Sequence, residues 1–453
     1  MNIIIAGCGK VGQKIAQQLH SELVHNITVI DVRPNAVQDL ANQTDVMGVV
    51  GSVISMDVME EAGIKTADIL IAVTGSDELN MLACLLAKKL GKCQTIARVR
   101  KPEYAKVLKL FREELSLALV INPEQAAASE MARSLRLPSA IQIDTFAKSR
   151  VEIFKFCVPE GSVLDNLKVQ DIVAKLNSDV LVCGVERGEE TFIPGGNFVI
   201  KSGDLLSILT PIHTEAQFFK KIGLKSDAVK DTMIVGGGET AYYLASKLCE
   251  SGVRVKIIEK DEKRCDELCQ LLPKATIING DGTDNNLLLE EGIETVDSFV
   301  SLINIDEENV LLSLYAKSVN NGKVITKINR IAYDRVIEKM DLGTTVYPKN
   351  ITSENIIKFV RAMNNSMGSN IESMHYIIGG KAEALEFRIK ENSPILGKRI
   401  DKLNLKDNLL IACITRNNRV KIPRGSDEFM VGDTVIIVTL HSGFDDIGDI
   451  LNR

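Results

Sequence analysis

The sequence predicts an α/β protein made of two tandem Rossmann-like domains, each a doubly wound parallel sheet and each followed by a small α+β lobe. Three observations carry this. Landmarks recur at an offset of 229 residues, short apolar runs alternate with helical patterns in the first part of each repeat, and a G-x-G-x-x-G turn follows the first apolar run. A length of 453 residues suits several domains, since one domain holds roughly 100–200 residues.

Under that offset Gly7 falls on Gly236, Gly51 on Gly280, Gly63 on Gly292, Asp77-Glu78 on Asp306-Glu307, Asn80 on Asn309 and Tyr104 on Tyr333. The register persists, with Pro194 on Pro423 and Gly203-Asp204 on Gly432-Asp433. In the first repeat the strand-like runs are 2–6, 27–31, 46–50, 68–73, 95–99 and 117–121, with helices between them. Short apolar strands separated by helices imply a parallel sheet covered on both faces. The following part has strand-like segments at 151–158, 180–186 and 205–210, with counterparts at 384–389, 409–415 and 434–439, and one helical stretch near 166–176. That pattern is a small α+β lobe.

Breaker residues set the boundaries. Asn122-Pro123 closes the first sheet, a helix over 124–136 bridges to the second lobe, and Leu137-Pro138-Ser139 ends it. Residues 223–230 form a polar link between the repeats, and Tyr347-Pro348 and 364–370 play the matching parts in the second. The expected domains are 1–124, 140–224, 230–350 and 370–453.

Composition narrows the function. Apolar residues make up 45% and charged residues 25%, an ordinary globular balance, and a net charge of −6 removes the electrostatic drive toward nucleic-acid backbones. No window approaches the roughly 18 apolar residues of a membrane span. The first residues, Met1-Asn2-Ile3-Ile4-Ile5, lack the basic region of a signal peptide, so the expectation is a cytosolic chain. Nine cysteines without a C-x-x-C pair suit reduced, buried thiols; Cys265 and Cys269 share a helix face, but two thiols do not make a metal site, and no metal is expected.

Gly7-Cys8-Gly9-Lys10-Val11-Gly12 sits between a strand and a helix. The first glycine makes the tight turn, the second lets a pyrophosphate approach the backbone, and the third lets the helix pack close to the strand. The helix N-terminus then offers N–H groups to the phosphates. The next strand ends in Asp31, 24 residues after the first glycine, where a carboxylate accepts both ribose hydroxyls and repels a 2′-phosphate. Thr74 and Gly75 follow the fourth strand, Arg98 ends the fifth, and Arg100 lies just beyond, so a hydroxyl and two guanidinium groups become candidate phosphate or ribose contacts. The second repeat carries Gly236, Gly238, Glu239 and Thr240 in a G-x-G-x-x-A variant, with Glu259 in the place of Asp31. There Thr74 becomes Ile303 and Arg98 becomes Lys327, which leaves three readings open: weaker binding, another nucleotide, or a structural role.

An enzyme needs an acid or base poised beside the cofactor. None of His20, His25, His213, His375 and His441 falls at a strand end of the predicted sheets, and no long catalytic insertion follows either nucleotide unit. No catalytic residue is therefore assigned. A soluble NAD-dependent oxidoreductase and a scaffold with vestigial clefts stand as alternatives to a binding and switching protein.

The glycine turn, Asp31, Glu61-Ala62-Gly63, the run Val73-Thr74-Gly75-Ser76-Asp77-Glu78-Leu79-Asn80 and the basic strand Ile96-Ala97-Arg98-Val99-Arg100 together resemble the RCK (KTN) regulators of potassium transport. The second repeat echoes them in Glu291-Gly292-Ile293 and Asp306-Glu307-Glu308-Asn309. The resemblance implies RCK N-terminal and C-terminal domains in tandem, and NAD or NADH as cofactor, with ATP or ADP possible in the same site. It further implies a homo-oligomer, a tetramer forming a ring of eight units, on a potassium-translocating Trk-type membrane subunit at the inner face of the membrane. The chain departs from the family pattern at Ser52, where relatives often carry an acidic or a different polar residue after the glycine; the second repeat keeps Asp281.

Overall fold

The computed structural model describes residues 1–21, 25–101, 103–104, 117–137, 139–146, 151–188, 190–211, 214–224, 229–329, 337, 340, 342–366, 371–377, 381–417, 419–441, 443–444 and 446–452. Tyr333, Pro138, His213 and part of the link 223–230 lie outside them.

Strands β1 (Asn2–Ala6), β2 (Asn26–Asp31), β3 (Met47–Val50), β4 (Ile69–Ala72), β5 (Gln94–Arg98) and β6 (Leu117–Ile121) alternate with helices α1 (Lys10–Ser21), α2 (Pro34–Gln43), α3 (Met56–Glu61) and α4 (Asp77–Leu90). They form one six-stranded parallel sheet in the order β3-β2-β1-β4-β5-β6. The central strands β1 and β4 are buried on both faces, as parallel strands under helices must be. The strand order reverses between β1 and β4, so the crevice beyond their carboxyl ends is where such a sheet holds a ligand.

Helix α5 (Pro123–Arg136) starts with proline at its first position, and Asn122 caps it: Asn122 Oδ1 accepts the Gln125 N–H at 2.8 Å. The lobe after it contains β7 (Gln142–Phe146), β8 (Val151–Cys157), α6 (Ile172–Leu176), β9 (Leu181–Arg187), β10 (Glu190–Phe192), β11 (Leu205–Pro211) and α7 (Glu215–Lys221), with an antiparallel sheet ordered β10-β9-β11-β8-β7. Two of these strands, β7 and β10, and helix α7 were not expected. The expected helix near 166–176 is shorter, because Asn166 takes a left-handed φ of 59° and a helical turn begins only at Val169.

The second repeat reproduces the plan. Strands β12 (Asp231–Val235), β13 (Arg254–Glu259), β14 (Thr276–Asn279), β15 (Ser298–Ser301), β16 (Lys323–Lys327) and β17 (Thr344–Val346) form the parallel sheet β14-β13-β12-β15-β16-β17. Its helices are α8 (Glu239–Glu250), α9 (Glu262–Leu271), α10 (Asn285–Glu290) and α11 (Asp306–Val319), and α12 (Pro348–Ser366) leads onward. Strands β18 (Ile371–Ile377), β19 (Ala382–Arg388), β20 (Leu409–Arg416), β21 (Arg419–Lys421) and β22 (Thr434–Thr439) make the last sheet, ordered β18-β19-β22-β20-β21. Even single ion pairs repeat: Arg187 grips the buried Asp204 with two bonds of 2.7 Å, and Arg416 grips Asp433 with two of 2.8 Å.

The chain divides into two compact units: Met1–Ala132 with Val229–Phe359, and Arg133–Ala228 with Val360–Arg453. The first contains both parallel sheets and the second both antiparallel ones. Within the second unit one apolar cluster is shared by the two sheets, with Val151, Cys183 and Leu209 from one packed with Ala384, Cys413 and Val438 from the other. No helix among the described residues is long and apolar enough to cross a membrane.

The glycine turn depends on a close approach that Gly12 enforces and Gly9 does not. A Cβ on Gly12 would lie 1.9 Å from the Gly7 carbonyl oxygen, whereas a Cβ on Gly9 meets nothing within 4 Å. Gly12→Ala is therefore expected to destabilise the chain by about 1–3 kcal/mol, and Gly9→Ala by under about 1 kcal/mol, as read from urea midpoints; equal effects would contradict this account of the turn.

Candidate functional sites

The first cleft opens at the carboxyl ends of β1, β2, β4 and β5. Gly7 bends the chain with φ of 112°, and its N–H donates to the Ile30 carbonyl at 2.7 Å, which ties the turn to β2. Gln13 N–H is the first to close on the turn, to the Gly9 carbonyl at 2.9 Å, so the N–H groups of Lys10, Val11 and Gly12 have no partner inside the helix. These are the donors that an anion would take. The Val11 side chain is buried and contributes packing only.

Asp31 closes the other side. Its Oδ2 accepts the Cys8 N–H at 2.7 Å, and its Oδ1 accepts the Arg33 N–H at 2.9 Å and Arg33 Nε at 3.0 Å. Burial opposes its ionisation, but the hydrogen bonds from Arg33 and Cys8 outweigh burial and hold the carboxyl below its ordinary range. Burial first, then the Asp31 charge, push the Cys8 thiol up to about 11, so Cys8 is no nucleophile near neutral pH. A cavity of about 580 Å³ lies over this corner, lined by Cys8, Gly9, Lys10, Gln13, Arg33 and Asp39 among others.

The remaining predicted contacts are placed at the same sheet ends but outside that cavity's lining. The Thr74 hydroxyl is held within the loop, donating to Asn80 Oδ1 at 2.7 Å, and the same oxygen accepts the Thr74 N–H at 2.8 Å. Asn80 is fully buried, and its Nδ2 donates to the Arg98 carbonyl at 2.8 Å, so one side chain joins the ends of β4 and β5. Asn309 repeats the arrangement, accepting the Ile303 N–H at 2.9 Å and donating to the Lys327 carbonyl at 3.0 Å. Arg100 turns back onto the Gly75 carbonyl at 2.6 Å and pairs with Asp77 at 3.5 Å. Burial, then the like charge of Arg100, lowers the Arg98 pKa; Arg98 Nε and Glu124 Oε2 are buried with no hydrogen-bond partner, and burial raises the Glu124 carboxyl.

Sequence reasoning missed Arg33, Asn80, Asp77 and Glu124 as parts of this corner. Asn80 left a signal, its recurrence as Asn309, whereas Arg33 left none. Within the unit that contains both parallel sheets, Tyr243 on α8 reaches the first repeat: Asn122 Nδ2 donates to its hydroxyl oxygen at 3.0 Å, and the hydroxyl donates to the Arg100 carbonyl at 3.4 Å.

The second cleft gathers Gly236, Gly238 and Glu259 around a cavity of about 510 Å³, which also reaches Asp281 and the segment Leu302-Ile303-Asn304-Ile305. Glu259 Oε2 accepts the Gly237 N–H at 2.6 Å, and Oε1 accepts the Asp261 N–H at 2.9 Å. Glu239 stands at the start of α8, bound by Arg264 at 3.2 Å, and Thr240 is buried behind it. Lys327 is buried, donates to the Leu302 carbonyl at 2.8 Å and does not line the cavity; burial, opposed by Asp306 and Glu124, lowers its ammonium to about 8. Among the described residues no histidine lines either cleft.

The comparisons with known proteins agree with this plan. A TrkA-N domain model matches residues 3–123 and 232–348, and a TrkA-C domain model matches 153–223 and 384–452. The chain is 33% identical over 450 residues to the Trk system potassium uptake protein TrkA homolog 2 of Methanosarcina mazei, covering 98% of each. It is 33% identical over 444 residues to the Trk system potassium uptake protein TrkA of Haemophilus influenzae, covering 96% of this chain and 95% of that one. Among solved structures, the GsuK channel superposes with a TM-score of 0.64 at 18% identity, over 97% of this chain and 76% of that one. The GsuK channel bound to NAD gives 0.62 at 17%, with the same shares covered. At such identities these two show the shared fold.

Two measurements test the geometry. Asn80→Ala strands buried donors and a carbonyl, and is expected to cost at least about 2 kcal/mol in urea denaturation. An unfolded lysine titrates near 10.4, so the unfolded chain binds the Lys327 proton more tightly than the folded one. The stability of the wild type relative to Lys327→Met should therefore rise between pH 8 and about pH 10.4; a flat difference would remove the buried ammonium from the account.

Proposed function

The chain belongs to the TrkA family of Trk-system potassium uptake proteins, and from that premise we propose that it is a cytoplasmic regulatory subunit that binds an adenine nucleotide in its first cleft and gates a potassium-translocating membrane subunit. The observation that carries the nucleotide reading is the first glycine turn. Its three unpartnered N–H groups, the open space over Gly9 and Lys10 in the cleft lining fit a pyrophosphate, and when the exposed Arg33 turns from Asp31 to the phosphates it adds a second cation and leaves Asp31 to the adenosine ribose. NAD, NADH, ATP and ADP share those parts. The fold relationship to a channel whose structure carries NAD supports a nucleotide in this type of cleft. In this reading Gly75 and the half-buried Arg98, beyond β4 and at the end of β5, extend the contacts of the glycine turn and Asp31, and Thr74 and Arg100 act through their loop contacts.

In this reading the protein docks peripherally on the inner face of the membrane as a homo-oligomer, a tetramer presenting a ring of eight units. Nucleotide acts by preferring one ring geometry over another, since a ligand with equal affinity for both would shift nothing. The chain performs no chemistry on the nucleotide.

Purified protein should bind NADH or ATP, and Asp31→Ala and Gly9→Glu should each weaken binding by at least about tenfold without unfolding the chain, as read by calorimetry and circular dichroism. A strain lacking the gene should show a potassium-uptake defect that the wild type restores and Gly9→Glu does not regulate. Steady NADH oxidation with no uptake defect would replace this reading with an oxidoreductase.

A further inference from the structure

The two clefts share a backbone plan and differ in charge. The first has Lys10 and Arg33 against two carboxylates, Asp39 and the Asp31 that Arg33 clasps. The second is lined by Lys260 and Arg264 against four carboxylates, Glu259, Asp261, Asp281 and Glu308. One of its two cations is already committed: Arg264 donates through Nε to the Gly237 carbonyl at 2.8 Å and pairs with Glu239 at 3.2 Å and Glu267 at 2.9 Å. Glu239 stands where the first repeat has Lys10, so the first turn of α8 carries a negative charge where phosphates would meet the helix. A nucleoside di- or triphosphate entering here meets Glu239 at the helix start that would take its phosphates, in a cleft with a surplus of carboxylates, and gains little from the one remaining lysine.

The ribose end shows the opposite contrast. Asp31 is held by the Arg33 guanidinium through both oxygens, at 3.0 and 3.1 Å. Among the described residues Glu259 accepts only the two backbone N–H groups of Gly237 and Asp261, so each of its oxygens keeps a lone pair for a hydroxyl. Beyond the turn, Ile303 and Ile305 present apolar surface where the first repeat has Thr74 and Ser76.

From this we propose that the second cleft is a ribonucleoside site, taking a nucleoside whose 5′ substituent is neutral or positively charged and rejecting nucleoside polyphosphates. Glu259 accepts the ribose hydroxyls, the glycine turn accommodates the 5′ group without a pyrophosphate, and the surplus carboxylates favour a cation there. The inference goes beyond the reading of the first cleft and does not depend on it.

The test uses the full-length chain carrying Gly9→Glu, titrated calorimetrically with adenosine, 5′-amino-5′-deoxyadenosine and ADP. Both nucleosides should bind once per chain, the cationic one more tightly, with ADP at least about tenfold weaker. Adding Glu259→Ala should remove nucleoside binding, and adding Glu239→Lys should raise ADP affinity by at least about tenfold. The proposal is overturned if neither nucleoside saturates at millimolar concentration, or if ADP matches or exceeds them in binding that Glu259→Ala removes. Whether Gly9→Glu lowers ADP binding relative to the wild type bears on the first cleft alone.

Discussion

A small antiparallel sheet with apolar side chains on both faces cannot stand in water with one face uncovered, and the two C-terminal lobes are built on that constraint. Along β8, Phe154 and Phe156 point into the lobe's own core with α7, while Val151 and Ile153 point the other way, into the cluster shared with the second sheet. Strand β22 does the same, with Val435 and Ile437 on one face and Ile436 and Val438 on the other. Each fully buried aliphatic side chain contributes about 1.5–3 kcal/mol relative to exposure, so the shared face is worth many times the gain from any single ion pair. In this chain a lobe of one repeat is completed by its counterpart in the next.

The same logic of mutual completion runs through the nucleotide-type clefts at the level of single polar groups. Asn80 and Asn309 each hold two strand ends together, so the two clefts are tied in the same way at the ends of their fourth and fifth strands. On that common frame the repeats differ by a few charges, Lys10 against Glu239 and Arg33 against Asp261.

Much of this was legible in the residues. The 229-residue offset, the strand and helix alternation and the glycine turn lead directly to the two parallel sheets, because long-period repetition and buried parallel strands leave strong patterns. The two edge strands were not legible: β10 has three residues and no alternation to read, and β7 is an outer strand whose pairing is defined by β8. The over-long helix near 166–176 arose from apolar spacing that a left-handed Asn166 interrupts. Site residues followed the same division. Asp31 and the glycines sit at positions that the fold dictates, whereas the Arg33 clasp on Asp31 and the Tyr243 contact with Asn122 depend on side-chain directions and on a partner 121 residues away.

Because the two small sheets belong to one polypeptide, their pairing is unimolecular. Dilution does not separate them, and every molecule carries one cleft of each kind in a fixed ratio. A protein assembled from separate single-repeat subunits would have to reach that pairing by association and would lose it at low abundance; this chain keeps it at any expression level. The covalent link also releases the two halves from having to be identical, so mutation can tune one cleft while the other stays as it is.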